Sequence, residues 1–145
     1  MTDRPRQLEV IVTTPEGKIY NHHSNFVNAE TVDGGLTILY NHAPIMVPLK
    51  IGILKVKRFR DDDNPYDYIA IAGGVMEVRD NVVTVIANVA ERGRDIDVDR
   101  AELAKSKAES VLQNEHSSQK EMDRAKIALT KAINRIGASR LRSKR

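Results

Sequence analysis

Residues 90–101 read Ala90-Glu91-Arg92-Gly93-Arg94-Asp95-Ile96-Asp97-Val98-Asp99-Arg100-Ala101, and two kinds of sequence meet there. Before it, Val82 to Val89 is dense in β-branched residues; after it, Ala, Leu, Lys and Glu recur with the period of an α-helix. Gly93 interrupts the pattern. Asp95 and Asp97 are short acids able to accept bonds from the unpaired N–H groups of a helix start, so a helix is expected from Val98. The reading is a segregated α+β chain: a β domain over 1–90, a joint over 91–97, and helices with a basic tail over 98–145.

Working upstream, Leu8, Val10 and Val12 alternate with Glu9, Ile11 and Thr13, and Pro15-Glu16-Gly17 turns the chain back into Lys18–Tyr20. Phe26–Val32 is a further extended run, ended by Asp33-Gly34-Gly35, and Leu36–Tyr40 continues as strand. Asn41-His42-Ala43-Pro44 breaks it, Pro48 is a second break, and Ile51–Phe59 extends again before a polar loop at Asp61–Pro65. Tyr66–Ala72, Val75–Val78 and Val82–Val89 complete the series, with a bend or bulge at Gly73-Gly74 and a hairpin turn at Asp80-Asn81. About eight to ten short strands at such spacing predict an antiparallel β-sandwich or flattened barrel.

Downstream, Ala101, Ala104, Ala108, Val111 and Leu112 mark one helix stripe, and Met122, Ala125, Leu129, Ala132, Ile133 and Ile136 a second. Ser118-Gln119-Lys120-Glu121 has the form of a capping box, and Gly137 is placed to close the second helix. The short connection predicts an antiparallel hairpin. An alanine seam has little apolar area to bury at roughly 25 cal/mol per Å², so the hairpin is expected to sit loosely on the β domain.

The net charge of +3 conceals an asymmetry. Residues 1–97 carry 11 Lys/Arg against 14 Asp/Glu, a net −3, and residues 98–145 carry 12 against 6, a net +6. The helical part therefore favours an acidic partner surface or a polyanion. No cysteine is present, which removes disulfides, thiolate metal sites and cysteine nucleophiles and fits a cytosolic setting. No apolar run approaches the ~18 residues of a membrane span, and the first residues lack a signal-peptide core.

Catalytic and metal chemistry find no footing. His22 and His23 are adjacent, so they cannot share a strand face, and no partner stands at ligand spacing. Asp61-Asp62-Asp63-Asn64 resembles a calcium loop only at its start, because Tyr66 and Ala72 occupy the places of the required glycine and acid. Gly73-Gly74 is no phosphate loop, and Arg140, Arg142, Lys144 and Arg145 lack the interleaved aromatics of a base-stacking surface. One constellation remains: Asp97 and Arg100 a turn apart, Lys107 beyond them, and Lys131 and Arg135 a turn apart on the second helix. Antiparallel packing would bring these together, either as a nucleotide site or as a salt-bridged helix pair.

Seven short pieces, in order, carry a resemblance over nearly the whole chain: Asn41-His42-Ala43-Pro44; Pro48-Leu49-Lys50-Ile51-Gly52; Ala72-Gly73-Gly74-Val75-Met76-Glu77-Val78; Val82-Val83-Thr84-Val85; Ala90-Glu91-Arg92; Asp95-Ile96-Asp97-Val98-Asp99-Arg100-Ala101; and Lys131-Ala132-Ile133-Asn134-Arg135. In these the chain resembles the epsilon subunits of bacterial F-type ATP synthases. The resemblance implies a non-catalytic rotor subunit of the central stalk that couples rotation to ATP synthesis and restrains ATP hydrolysis by moving its C-terminal helices. It implies three partners: the gamma subunit, the ring of c subunits, and the alpha/beta head met through the basic helices. The implied place is peripheral, on the cytoplasmic face of the cell membrane, with the membrane reached only through partners.

The same resemblance puts the family's ATP-binding positions at Glu91, Ile96, Asp97, Arg100, Ala101, Lys107, Lys131 and Arg135. Lys107 and Lys131 stand where the best-binding members have arginine, and a compact ammonium does not reproduce the forked donor of a guanidinium, so weak regulatory ATP binding is expected and no cofactor is required. His42 matches a position near the gamma contact. Asp33, Gly34 and Gly35 match the c-ring loop, although Gly35 replaces a usual acid and Thr37 a usual glycine. Two other classes compete: a free nucleotide-sensing module, and a nucleic-acid-binding domain using the basic hairpin.

Overall fold

A computed structural model describes residues 6–58 and 65–143, with the backbone alone for Arg142 and Ser143. The acidic cluster at 61–64, Phe59, Lys144 and Arg145 lie outside the described residues. Seven strands precede two helices: β1 (Leu8–Thr14), β2 (Gly17–Thr31), β3 (Gly34–Leu39), β4 (Ile45–Arg58), β5 (Tyr66–Arg79), β6 (Val82–Ala87), β7 (Ala90–Arg92), α1 (Val98–Gln113) and α2 (Gln119–Ser143). A single 3₁₀ turn, Gly93–Asp95, joins β7 to the helical part.

The strands are fewer and longer than their turn residues suggest. Pro48 does not end β4, because it stays paired with Val75 of β5, and on its other side β2 has already ended, where the Val32 N–H donates to the Pro48 carbonyl at 3.3 Å and only the return bond is missing. Gly73 and Gly74 lie inside one strand, at φ +80° and +143°, where β5 stops pairing with β7 and starts pairing with β6. A Cβ at Gly74 would collide with the Ile86 carbonyl oxygen, so the bend needs glycine.

The sheet closes on itself, running β1-β6-β5-β4-β2, with β2 pairing β1 again and β3 and β7 added outside that ring. Among the described residues, all strand pairings but one are antiparallel. β1 runs parallel to β6, from Glu9↔Val82 to Thr13↔Ile86, which corrects the expectation of an antiparallel sheet throughout. Alternation tells which residues face inward but not the direction of the neighbouring strand. Inward positions follow that alternation closely: Leu8, Val10, Val12, Val27, Ile38, Leu54, Val56, Ile69, Met76, Val78, Val83 and Val85 are buried in one core.

α1 starts where the acids predict, with the Asp97 carboxylate accepting from the Arg100 N–H at 3.1 Å. It stops at Asn114, and the Ser117 hydroxyl donates to the Val111 carbonyl at 2.7 Å. At the start of α2 the Ser118 hydroxyl accepts from the Glu121 N–H at 3.1 Å and also donates to the Glu121 carboxylate at 3.1 Å, so the capping box closes through the two side chains. Glu102 near the start of α1 pairs with Arg140 near the end of α2 at 4.0 Å, which fixes the helices as antiparallel.

Two helical expectations fail. Gly137 does not close α2, which runs on to Ser143; it sits instead where the helix crosses Ile53 of β4. Ile133 faces solvent at 52 % exposure, and Ala138, outside the predicted stripe, is fully buried. The second half of α2 packs against the barrel as well as against α1, which brings Ala138 into a seam with Ala70 and Ile96.

Candidate functional site

The seam between barrel and α2 is built largely from small residues. Ala70, Ile96 and Ala138 form a second buried cluster with Ile53 against it. The joint passes so close to α2 that a Cβ on Gly93 would lie 2.6 Å from the Ala138 carbonyl oxygen and 3.2 Å from that of Tyr68.

Two polar contacts reinforce it. Asn134 donates its side-chain amide to the carbonyls of Gly52, at 2.9 Å, and Ile71, at 3.4 Å. One residue further on, Arg135 makes a forked pair with Glu91, Nε to Oε2 at 2.9 Å and Nη2 to Oε1 at 3.2 Å. Both side chains are about three-quarters buried, at 25 % and 30 % exposure. A cleft of about 50 Å³ lies beside them, lined also by Lys131, Ala72 and Val89.

Of the eight positions assigned to ATP by resemblance, the fold gathers Glu91, Lys131 and Arg135 around this cleft. Ile96 is buried in the seam. Asp97 caps α1, Arg100 is exposed in its first turn, and Ala101 is wholly buried. Lys107 lines a different and wider groove between α1 and α2, about 420 Å³, with Ala104, Ala108, Arg124 and Ala125. The eight positions are therefore spread over a cleft, a helix start and a groove.

The other two candidate regions sit on loops of the barrel. Asp33, Gly34 and Gly35 form the tip of the β2–β3 hairpin, where Thr31 donates to the Gly34 carbonyl at 2.7 Å and accepts from the Asp33 N–H at 3.1 Å. His42 follows Asn41, which stands at φ +63°, and its Nδ1 lies 2.6 Å from the Ala43 carbonyl, so that nitrogen carries the proton. Asn41 is bracketed to Asn81 by two bonds, backbone N–H to side chain at 2.7 Å and amide to amide at 3.2 Å.

Sequence reasoning missed Asn134 as an anchor and a polar cluster at β5. There the Tyr20 hydroxyl donates to Asp67 at 2.6 Å, Arg58 and Arg92 approach the same carboxylate at 3.7 and 3.9 Å, and Arg92 also lies over the Tyr20 ring. Burial, and then the bond to Asp67, push the Tyr20 phenol well above its ordinary value. The only signal was a tyrosine at an inward strand position, since buried phenols seek a partner. Among the described residues no group of three or more His, Cys, Asp or Glu side chains could hold a metal ion.

The comparisons agree with this architecture. Residues 7–93 match the family described as ATP synthase, Delta/Epsilon chain, beta-sandwich domain, and residues 94–140 match its long alpha-helix domain. The ATP synthase epsilon chain of Lactobacillus helveticus (strain DPC 4571) is 44 % identical over 138 residues, 94 % of each chain. That of Lactobacillus delbrueckii subsp. bulgaricus (strain ATCC BAA-365 / Lb-18) is 43 % identical over the same span. A chain in the Euglena gracilis mitochondrial ATP synthase, 22 % identical, superposes with a TM-score of 0.78 over 94 % of this chain and 84 % of its own. One from the central stalk and c-ring of the Tetrahymena thermophila enzyme, 17 % identical, gives 0.55 over 95 % and 99 %. With both halves of the family matched in order across the barrel and its helices, the chain belongs to the ATP synthase delta/epsilon chain family, among its epsilon chains.

Proposed function

We propose that this chain works without catalysing anything itself, as a central-stalk rotor subunit that couples rotation to ATP synthesis and limits wasteful ATP hydrolysis by moving its helices. The observation that carries the reading is the contrast between the two halves. The barrel is a closed sheet around a continuous aliphatic core, while α2 rests on it through alanines, one isoleucine pair and a few polar contacts. Elements held by few apolar contacts open at lower free energy than the core they rest on.

Three surfaces suit the three partners. On the outer face of the barrel, Pro48, Val75 and Ile86 lie side by side across β4, β5 and β6, with Met46 two residues along, all exposed. Such a row is a docking face for the gamma subunit, near His42. The Asp33-Gly34-Gly35 tip would meet the c-ring. The basic helices, once released, would meet acidic surfaces of the alpha/beta head. No helix among the described residues is long and apolar enough to cross a membrane, and attachment at the cytoplasmic face would be through these partners.

Regulatory ATP binding would be weak in this reading. The cleft at Glu91, Lys131 and Arg135 holds about 50 Å³, whereas small-molecule sites run from roughly 300 Å³ upward. The test is ATP hydrolysis by the reconstituted catalytic head with the full chain and with residues 98–145 removed. Hydrolysis should rise on truncation while the barrel still copurifies with gamma; equal rates would remove the restraining role.

A further inference from the structure

The geometry points to an internal clasp: the Glu91 carboxylate occupies Arg135 as a ligand anion would, and so holds the helices folded without any nucleotide. This inference rests on the helix movement proposed above. Glu91 is rooted in the sheet, since β7 pairs with β5 through Ala70↔Glu91. On the other side of the same strand Arg92 reaches the Asp67 carboxylate at 3.9 Å and lies over the Tyr20 ring at 5.3 Å, which tethers β7 to the barrel. The carboxylate is thus a fixed acceptor presented to α2 rather than a mobile surface acid.

On the helix side, Asn134 and Arg135 are consecutive, and between them they reach β4, β5 and β7. A forked guanidinium–carboxylate pair is both strong and geometrically specific. It matters more here because the apolar contact beneath it, Ala70, Ile96 and Ala138 with Ile53, is small. The remaining cleft of about 50 Å³ has room for a water or two, at ~30 Å³ each, and none for a nucleotide. A polyphosphate could take the Nε–Nη2 fork of Arg135 only by displacing Glu91.

The experiment is amide hydrogen exchange on the full chain, wild type and Glu91→Gln, each with and without ATP. In the wild type, exchange within α2 should be the same with and without ATP. In Glu91→Gln it should quicken about tenfold or more in α2 while β1 to β6 stay at wild-type protection, the scale expected for losing a charge-assisted bond. The exchanged pair Glu91→Arg with Arg135→Glu should return α2 toward wild-type protection. Unchanged α2 exchange in Glu91→Gln, or wild-type protection that appears only with ATP, would overturn the clasp. If Glu91→Gln frees α2 but the catalytic head carrying it hydrolyses ATP at the wild-type rate, the clasp stands and the restraining function falls. If truncation raises hydrolysis while Glu91→Gln leaves α2 protected, the clasp alone falls.

Discussion

The α-carbon of Gly93 faces the carbonyl oxygen of Ala138 so closely that a methyl group there would sit 2.6 Å from it. The obstacle is helix backbone on one side and the Tyr68 carbonyl, at 3.2 Å, on the other, so nothing flexible can swing aside. Gly93→Ala should therefore push α2 off the barrel, at a cost of about 1–3 kcal/mol. The barrel core, which Gly93 does not enter, should keep its stability. Amide exchange should quicken in α2 and stay unchanged in β1 to β6; equal protection of α2 in variant and wild type would mean that the seam relaxes around the methyl.

Asn134→Ala removes both amide bonds to Gly52 and Ile71 but little apolar contact. A net bond contributes about 0.5–1.5 kcal/mol, so a loss of roughly 1 kcal/mol in helix docking is expected, with Asn134→Asp worse because a carboxylate cannot donate to a carbonyl. Exchange of the α2 amides reads this. Docking as firm in Asn134→Asp as in the wild type would remove Asn134 from the anchor.

Much of the barrel was legible because each inward residue, such as Leu8, Val10 and Val12, is separated from the next by one outward residue, and that period survives whatever the partner strand does. The β1–β6 direction was not legible, because alternation is the same in parallel and antiparallel pairs. Pro48 and Gly137 misled for a common reason: each was read from local preference, while its cost depends on tertiary surroundings, the end of the β2 ladder beside Pro48 and a close helix crossing over Ile53. At the seam, Arg135 came from helical spacing as well as from family likeness and Glu91 from likeness, and the fold supplied what spacing could not, that they pair with each other. Asn134 gave no signal, since an asparagine inside a helix ordinarily turns toward water.

Tyr20 offers a test by pH. Burial first, and the bond to Asp67 second, raise its phenol pKa above the ordinary value of 10.0. In that case the unfolded chain loses this proton at lower pH than the folded chain, so the unfolded state binds fewer protons above pH 10.0 and stability falls as pH rises further. Below that value the group adds no pH dependence. Urea unfolding from pH 8 to pH 11, as approximate limits for a phenol of ordinary pKa near 10, should show a decline at the alkaline end that is smaller in Tyr20→Phe. The same variant should lose about 1 kcal/mol at neutral pH, because Asp67 forfeits its shortest bond. Parallel alkaline declines in the two proteins would show that the phenol stays protonated in neither state preferentially.

The outer face of the barrel makes the last prediction. Met46 is 68 % exposed and Ile86 55 % exposed, and both stand on strands whose opposite faces carry the core, so substitution there leaves that core untouched. A charge added to an apolar docking face costs its desolvation against the partner, whereas on a free surface it costs nothing comparable. Met46→Glu and Ile86→Glu should therefore keep the wild-type unfolding midpoint of the isolated chain, within about 0.5 kcal/mol, and weaken copurification with gamma. The double variant should be weaker than either. Because the barrel would be released together with its helices, ATP hydrolysis by the head should rise as it does on truncation, even though the helices are intact. Retained gamma binding in the double variant would place the contact elsewhere on the barrel and leave this apolar row without a partner.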